Sequence, residues 1–152
     1  MIKRLIYLCI IMLAALLIMQ PFKLIFSRPR YRLVIQEIQG AEFQPWYLPF
    51  AGASEFIQET GIERNNFCSF PSGHALQCMG LIFSLPSLAE IYGCLKKRRV
   101  TLFAAGMVFA ILVCISRMVM GAHFLSDVSM GSLMAILAAY VWFRLIRSGH
   151  MK

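Results

Sequence analysis

Long apolar stretches alternate along this chain with short polar ones, and four of them approach the length a helix needs to cross a bilayer: residues 5–22, 74–95, 100–116 and 123–143. The pattern predicts an all-α protein, a polytopic membrane helix bundle with about four transmembrane helices in one membrane-embedded domain over 1–152. Gln20-Pro21 marks where the first helix is expected to loosen, and Pro86 is expected to kink the second. Gly131, Ser132, Ala135, Ala138 and Ala139 give the last span a face suited to close helix packing. The one long polar connection, 27–71, is expected to be an external loop with short helices of its own. Leu33-Val34-Ile35 and Pro45 to Phe50 read there as amphipathic pieces with an aromatic anchor at the interface. A connection that long in so small a chain usually has a function, such as a lid or a route for substrate.

Charge orients the bundle. Lys3 and Arg4, the loop Lys96-Lys97-Arg98-Arg99, and Arg144, Arg147 and Lys152 place both termini and loop 96–99 in the cytoplasm. Glu90 can reach that loop, and His150 in the basic tail is given no role. Five of the seven acids, Glu37, Glu42, Glu55, Glu59 and Glu63, fall in the external connection. The start, Met1 to Arg4 and then an apolar run, is like a signal peptide, but no small-residue cleavage site follows, so it is read as a retained span.

Lys23, Arg28, Arg30 and Arg32 break the orientation rule, as four cations within ten residues on the outer side. Snorkelling to lipid headgroups explains such a cluster, and so does an anionic ligand.

A composition of 59% hydrophobic and 14% charged residues excludes an ordinary soluble domain. The net charge of +8 does not argue for nucleic acid, because the fifteen basic residues are spread among apolar runs and no nucleic-acid motif is present. Cys9, Cys68, Cys78, Cys94 and Cys114 show no metal spacing and read as packing residues.

The residues capable of chemistry collect at the outer ends of the spans. His123 and Asp127, four apart, share a face if both are helical, so the carboxylate can accept one imidazole proton and leave the other nitrogen as a nucleophile. A histidine and an aspartate satisfying each other at a membrane edge is the blander explanation. Ser116 and Arg117 look like anion ligands. Pro71 and Ser72 suit a helix start, which would turn the amides of Ser72, Gly73 and His74 outward as an anion site. Cations, helix-start amides, one oriented histidine and one free histidine fit phosphoryl transfer. With three or more cations around two histidines and one aspartate, a divalent metal is disfavoured.

Lys23-x6-Arg30, Pro71-Ser72-Gly73-His74 and Ser116-Arg117-x5-His123-x3-Asp127 resemble, in order and spacing, the three signature motifs of the type 2 phosphatidic acid phosphatase superfamily. That superfamily also contains bacterial acid phosphatases and vanadium haloperoxidases. The resemblance implies that His123 forms a phosphohistidine, that Asp127 orients it, and that His74 protonates the leaving oxygen and later activates water. Lys23, Arg30, Ser72, Gly73 and Arg117 would hold the phosphate, with Arg28 and Ser116 as additional ligands. No cofactor is implied, and vanadate should inhibit.

The implied activity is metal-independent hydrolysis of a lipid phosphomonoester or pyrophosphate at the outer face of the cell membrane. Phosphatidic acid, phosphatidylglycerol phosphate and undecaprenyl pyrophosphate are the candidate substrates. Phosphate transfer to another lipid uses the same residues, and a non-catalytic phospholipid-binding protein is the reading from a different class. Oligomeric state is left open.

Two departures stand out. Tyr31 follows Arg30 where the motif ordinarily ends in proline, which bears on the rigidity of the phosphate site. Membrane members usually have six spans, so the four expected here imply either a short form or a chain beginning downstream of the full start.

Overall fold

The computed structural model describes residues 2–36 and 41–148. The described residues form six α-helices: α1 (Ile2–Phe26), α2 (Tyr31–Ile35), α3 (Ala53–Thr60), α4 (Gly73–Ile91), α5 (Arg99–Val119) and α6 (Leu125–Arg147). Short 3-10 turns lie at Arg64–Phe67 and Gly93–Arg98, and no strand occurs among the described residues. Glu37, His150, Lys152 and the side chain of Glu90 lie outside what is described, and the expected reach of Glu90 to the basic loop lies outside with them.

Helix α4 is the centre of the bundle, packed against α6, α5 and α1. Its Leu76, Met79 and Ile82 meet Met19 of α1, Ala110 and Cys114 of α5, and Val128 and Ala135 of α6 in one buried cluster. Small residues set the spacing, since contact between helices in lipid comes from close packing. Gly131 is the tightest case against backbone: a Cβ there would lie 2.3 Å from the Ser72 carbonyl oxygen, so only glycine lets α6 close on the start of α4.

Among the described residues three segments, Lys3–Ile35, Gly93–Val119 and Leu125–Arg147, are long and apolar enough to cross a membrane, where the sequence pattern gave about four. The helix that falls short is α4, and it does so in apolarity, because His74, Gln77, Ser84 and Glu90 interrupt it. A helix walled by three others needs less lipid-compatible surface. The buried Ser84 hydroxyl is satisfied by the Gly80 carbonyl of its own helix at 2.8 Å.

Several boundaries move. Gln20-Pro21 does not loosen α1, which continues to Phe26, since a proline inside a packed membrane helix forfeits only one backbone bond. Lys23 therefore lies in the last turn of α1, where the helix dipole favours a cation. Helix α4 likewise runs through Pro86. Ser116 and Arg117 lie within α5, which runs on to Val119. At α6 the shift is in the other direction. The helix starts at Leu125, so His123 precedes it in the connecting loop.

The long connection between α1 and α4 is a folded unit. Leu33, Ala41 and Phe67 are buried against Phe50, Phe56 and Ile57. Residues 45–50, expected to be amphipathic, form a turn, and the longer helix of this region is α3. Main-chain bonds tie the unit to the bundle, from Phe50 N–H to the Phe26 carbonyl at 3.0 Å and from Arg32 N–H to the Gly121 carbonyl at 2.8 Å. Gly121 has φ +66°, and a Cβ there would meet the Arg32 backbone at 3.2 Å, so this junction requires glycine on two counts.

Candidate active site

Because α1 and α5 end where α4 and α6 begin, the motif residues gather at one end of the bundle, under the unit that connects α1 to α4. His123 is 3% exposed, and its Nδ1 lies 2.7 Å from the Ser69 carbonyl oxygen. A carbonyl can only accept, so Nδ1 carries the proton and Nε2 keeps its lone pair. Asp127, expected to hold that proton, is not the group that accepts it. The nearer Asp127 oxygen is 3.8 Å from Nδ1, beyond hydrogen-bond length. The helical spacing argument fails here because His123 is not on the helix.

Asp127 is fully buried and engaged elsewhere. Its Oδ2 accepts the Ser69 hydroxyl and, at 2.8 Å, the Phe124 N–H, the latter closing the start of α6. Its Oδ1 is ion-paired with Arg28 Nη1. Arg28 also donates to Ser126 Oγ at 2.7 Å and to the Gln44 carbonyl at 2.8 Å. The guanidinium carbon lies 4.2 Å from the Phe124 ring centroid and 5.5 Å from that of Phe43. Arg28, expected as an additional phosphate ligand, is thus the buried counter-ion of Asp127, because the carboxylate could not otherwise be buried as a charge.

At the start of α4, Ser72 is the N-cap and accepts the Ala75 N–H. Its own N–H does not point outward as expected. It donates to the Asp127 carbonyl at 2.9 Å, which fastens α4 to α6. Gly73 and His74 remain as the helix-start amides without an intrahelical acceptor. A Cβ at Gly73 would lie 4.0 Å from Lys23 Nζ and 3.1 Å from the Met19 methyl, so the lysine reaches the open end of α4. His74 is exposed and lies within the electrostatic reach of Arg117, His123, Lys23 and Arg30.

The remaining cations differ in how they are held. Arg30 donates to the Asn65 carbonyl and side-chain oxygens, both at 3.0 Å, which leaves Nη1 outside that clamp. Arg32 is bound in parallel by the Asn66 side chain. Arg117 has a buried Nε with no hydrogen-bond partner among the described residues. Ser116 departs from expectation: its hydroxyl returns to the Val113 carbonyl at 2.7 Å in its own helix, so it is turned to its own backbone.

Ser69, Asn65, Asn66 and Phe124 were not identified from the sequence. Ser69 carries the only available signal, a small polar residue just ahead of Pro71-Ser72-Gly73-His74.

Fold and site define a multi-pass helical membrane protein with one buried histidine, one exposed histidine and several cations at one end. The PAP2 superfamily profile matches residues 4–149, and the chain belongs to that superfamily, whose members are generally phosphoester hydrolases. No curated protein matches the chain. No solved structure matches it either.

Proposed function

We propose that the protein is a membrane lipid phosphatase that hydrolyses a lipid phosphomonoester or pyrophosphate through a phosphohistidine, with its site at the outer face. The observation that carries this reading is His123, whose Nδ1–H is fixed by the Ser69 carbonyl so that in the neutral ring Nε2 bears the lone pair, with His74 within electrostatic reach of it and of Lys23, Arg30 and Arg117.

In the first step Nε2 attacks phosphorus. The bond to the lipid oxygen breaks, and the His74 imidazolium gives that oxygen its proton. Neutral His74 then takes a proton from a water whose oxygen attacks phosphorus, the P–N bond breaks, and inorganic phosphate leaves. Lys23, Arg30, Arg117 and the Gly73 and His74 amides hold the phosphate oxygens, and Ser72 locks the helix start that aims those amides.

A lipid substrate follows from the position of these residues at the ends of lipid-facing helices. In this reading α4 also crosses, giving four spans with both termini inside.

The test is phosphate release from phosphatidic acid, phosphatidylglycerol phosphate and undecaprenyl pyrophosphate by purified full chain in detergent with EDTA, with and without an acceptor lipid. Wild type should release phosphate and form an acid-labile, base-stable phosphoenzyme, and His123→Ala should do neither. The same adduct in His123→Ala removes the nucleophile assignment, and phosphate appearing only on the acceptor makes the protein a transferase.

A further inference from the structure

We infer that Ser69 is the positioning residue through which Asp127 acts on His123, an inference that rests on the phosphatase reading above. All three polar groups of Ser69 are used, each on a different part of the site. Its N–H donates to the Arg28 carbonyl at 3.1 Å, its hydroxyl donates to Asp127 Oδ2, and its carbonyl accepts the His123 Nδ1–H at 2.7 Å. The other acceptor near the hydroxyl, the Ala122 carbonyl, is 3.3 Å away, so the single hydroxyl proton belongs to the carboxylate.

Burial makes this arrangement count. Ser69 and Asp127 are fully buried and His123 nearly so, which leaves no room for solvent to replace the hydroxyl. Oδ2, the carboxylate oxygen 3.8 Å from the imidazole Nδ1, already accepts the Ser69 hydroxyl and the Phe124 N–H, and Oδ1 is paired with Arg28. The carboxylate therefore holds Ser69, and Ser69 holds the ring. A peptide carbonyl as the last link has a chemical consequence. It cannot take up the Nδ1 proton, so in the neutral ring Nε2 is the nitrogen with the lone pair that attacks phosphorus, and Nδ1–H stays in place when the phosphorylated ring becomes cationic. The carboxylate is close enough to favour that cation through space without sharing its proton.

Removing the hydroxyl while keeping the carbonyl separates this role from the others. With wild type active in the lipid assay, Ser69→Ala should lower kcat about ten- to a hundredfold, the range for losing a buried hydrogen bond to a charge. KM and inhibition by inorganic phosphate should stay within about twofold, since none of the phosphate ligands is touched. Ser69→Cys, similar in shape with a weaker donor, should fall between. The deciding measurement is the pair Asp127→Asn and Asp127→Asn/Ser69→Ala. If Asp127 acts through Ser69, the double variant is no slower than Asp127→Asn alone.

Wild-type kcat in Ser69→Ala, losses that multiply in the double variant, or phosphate inhibition that weakens in step with kcat would each overturn the inference. The cysteine variant decides if the alanine variant does not fold, since kcat equal to wild type in Ser69→Cys also overturns it. An inactive wild type sinks the phosphatase reading and this inference together, whereas an active wild type matched by Ser69→Ala sinks the inference alone.

Discussion

Arg28 and Asp127, 99 positions apart in the chain, meet as an ion pair in which neither side chain is more than 2% exposed. The arginine stands over Phe124, the residue just before the helix that carries Asp127, so one contact joins the first and third motifs. Arg28→Met should leave Asp127 buried without a counter-charge and cost about 3–5 kcal/mol of stability. Arg28→Lys should recover only part of this, because an ammonium has no fork to reach Asp127, Ser126 and Gln44 together. Thermal unfolding in detergent checks the order wild type, then lysine, then methionine. Arg28→Met as stable as wild type would refute the account.

Asn65 orients Arg30 without neutralising it. Asn65→Asp keeps an acceptor in place but adds an anion beside the proposed phosphate position, so KM should rise about tenfold while kcat stays within about twofold. Asn65→Ala loses only an exposed clamp and should raise KM about threefold. A larger effect from alanine than from aspartate would show that geometry, not charge, dominates at this position.

Tyr31 occupies a place prepared for proline. It is the first residue of α2, where the N–H has no intrahelical partner, and Arg30 ahead of it has φ −70° and ψ 148°, the extended conformation that proline demands of its predecessor. Tyr31→Pro should therefore fold and keep activity within about threefold, losing only the edge-to-face contact with Phe124 at 5.3 Å. A drop of tenfold or more would mean that the tyrosine ring is needed to hold Phe124 over Arg28.

Cys68 and Cys94 lie at opposite ends of the bundle, and both reach the surface, Cys94 more fully. With the site outside, a membrane-impermeant thiol reagent on intact cells should label Cys68 and leave Cys94 untouched until the membrane is opened. A cysteine at exposed Ser54, in a Cys68→Ser background, controls for shielding of Cys68 by its contact with the Arg64 carbonyl. Labelling of Cys94 first would invert the topology, and the outer-leaflet substrate would go with it.

What the sequence determined by itself were properties set within a few residues of each position. Hydropathy over a window marks the apolar helices, Pro71-Ser72 marks the start of α4, and the motif spacings place Lys23, His74, Arg117 and His123 at helix ends that antiparallel packing brings to one side. Tertiary structure decided which partner each polar group took. Spacing alone paired His123 with Asp127, yet the cap that Asp127 makes on Phe124 starts α6 at Leu125 and leaves His123 in a loop, where the Ser69 carbonyl is the nearer acceptor. Arg28 read as an additional phosphate ligand, but the connecting unit supplies the Gln44 carbonyl to it and it is buried against Asp127; Asn65 had no visible role until Arg30 came within reach. The physical reason is common to these cases: in a buried site every donor and acceptor must be matched, and the match is made by groups from distant parts of the chain whose approach depends on how the helices pack.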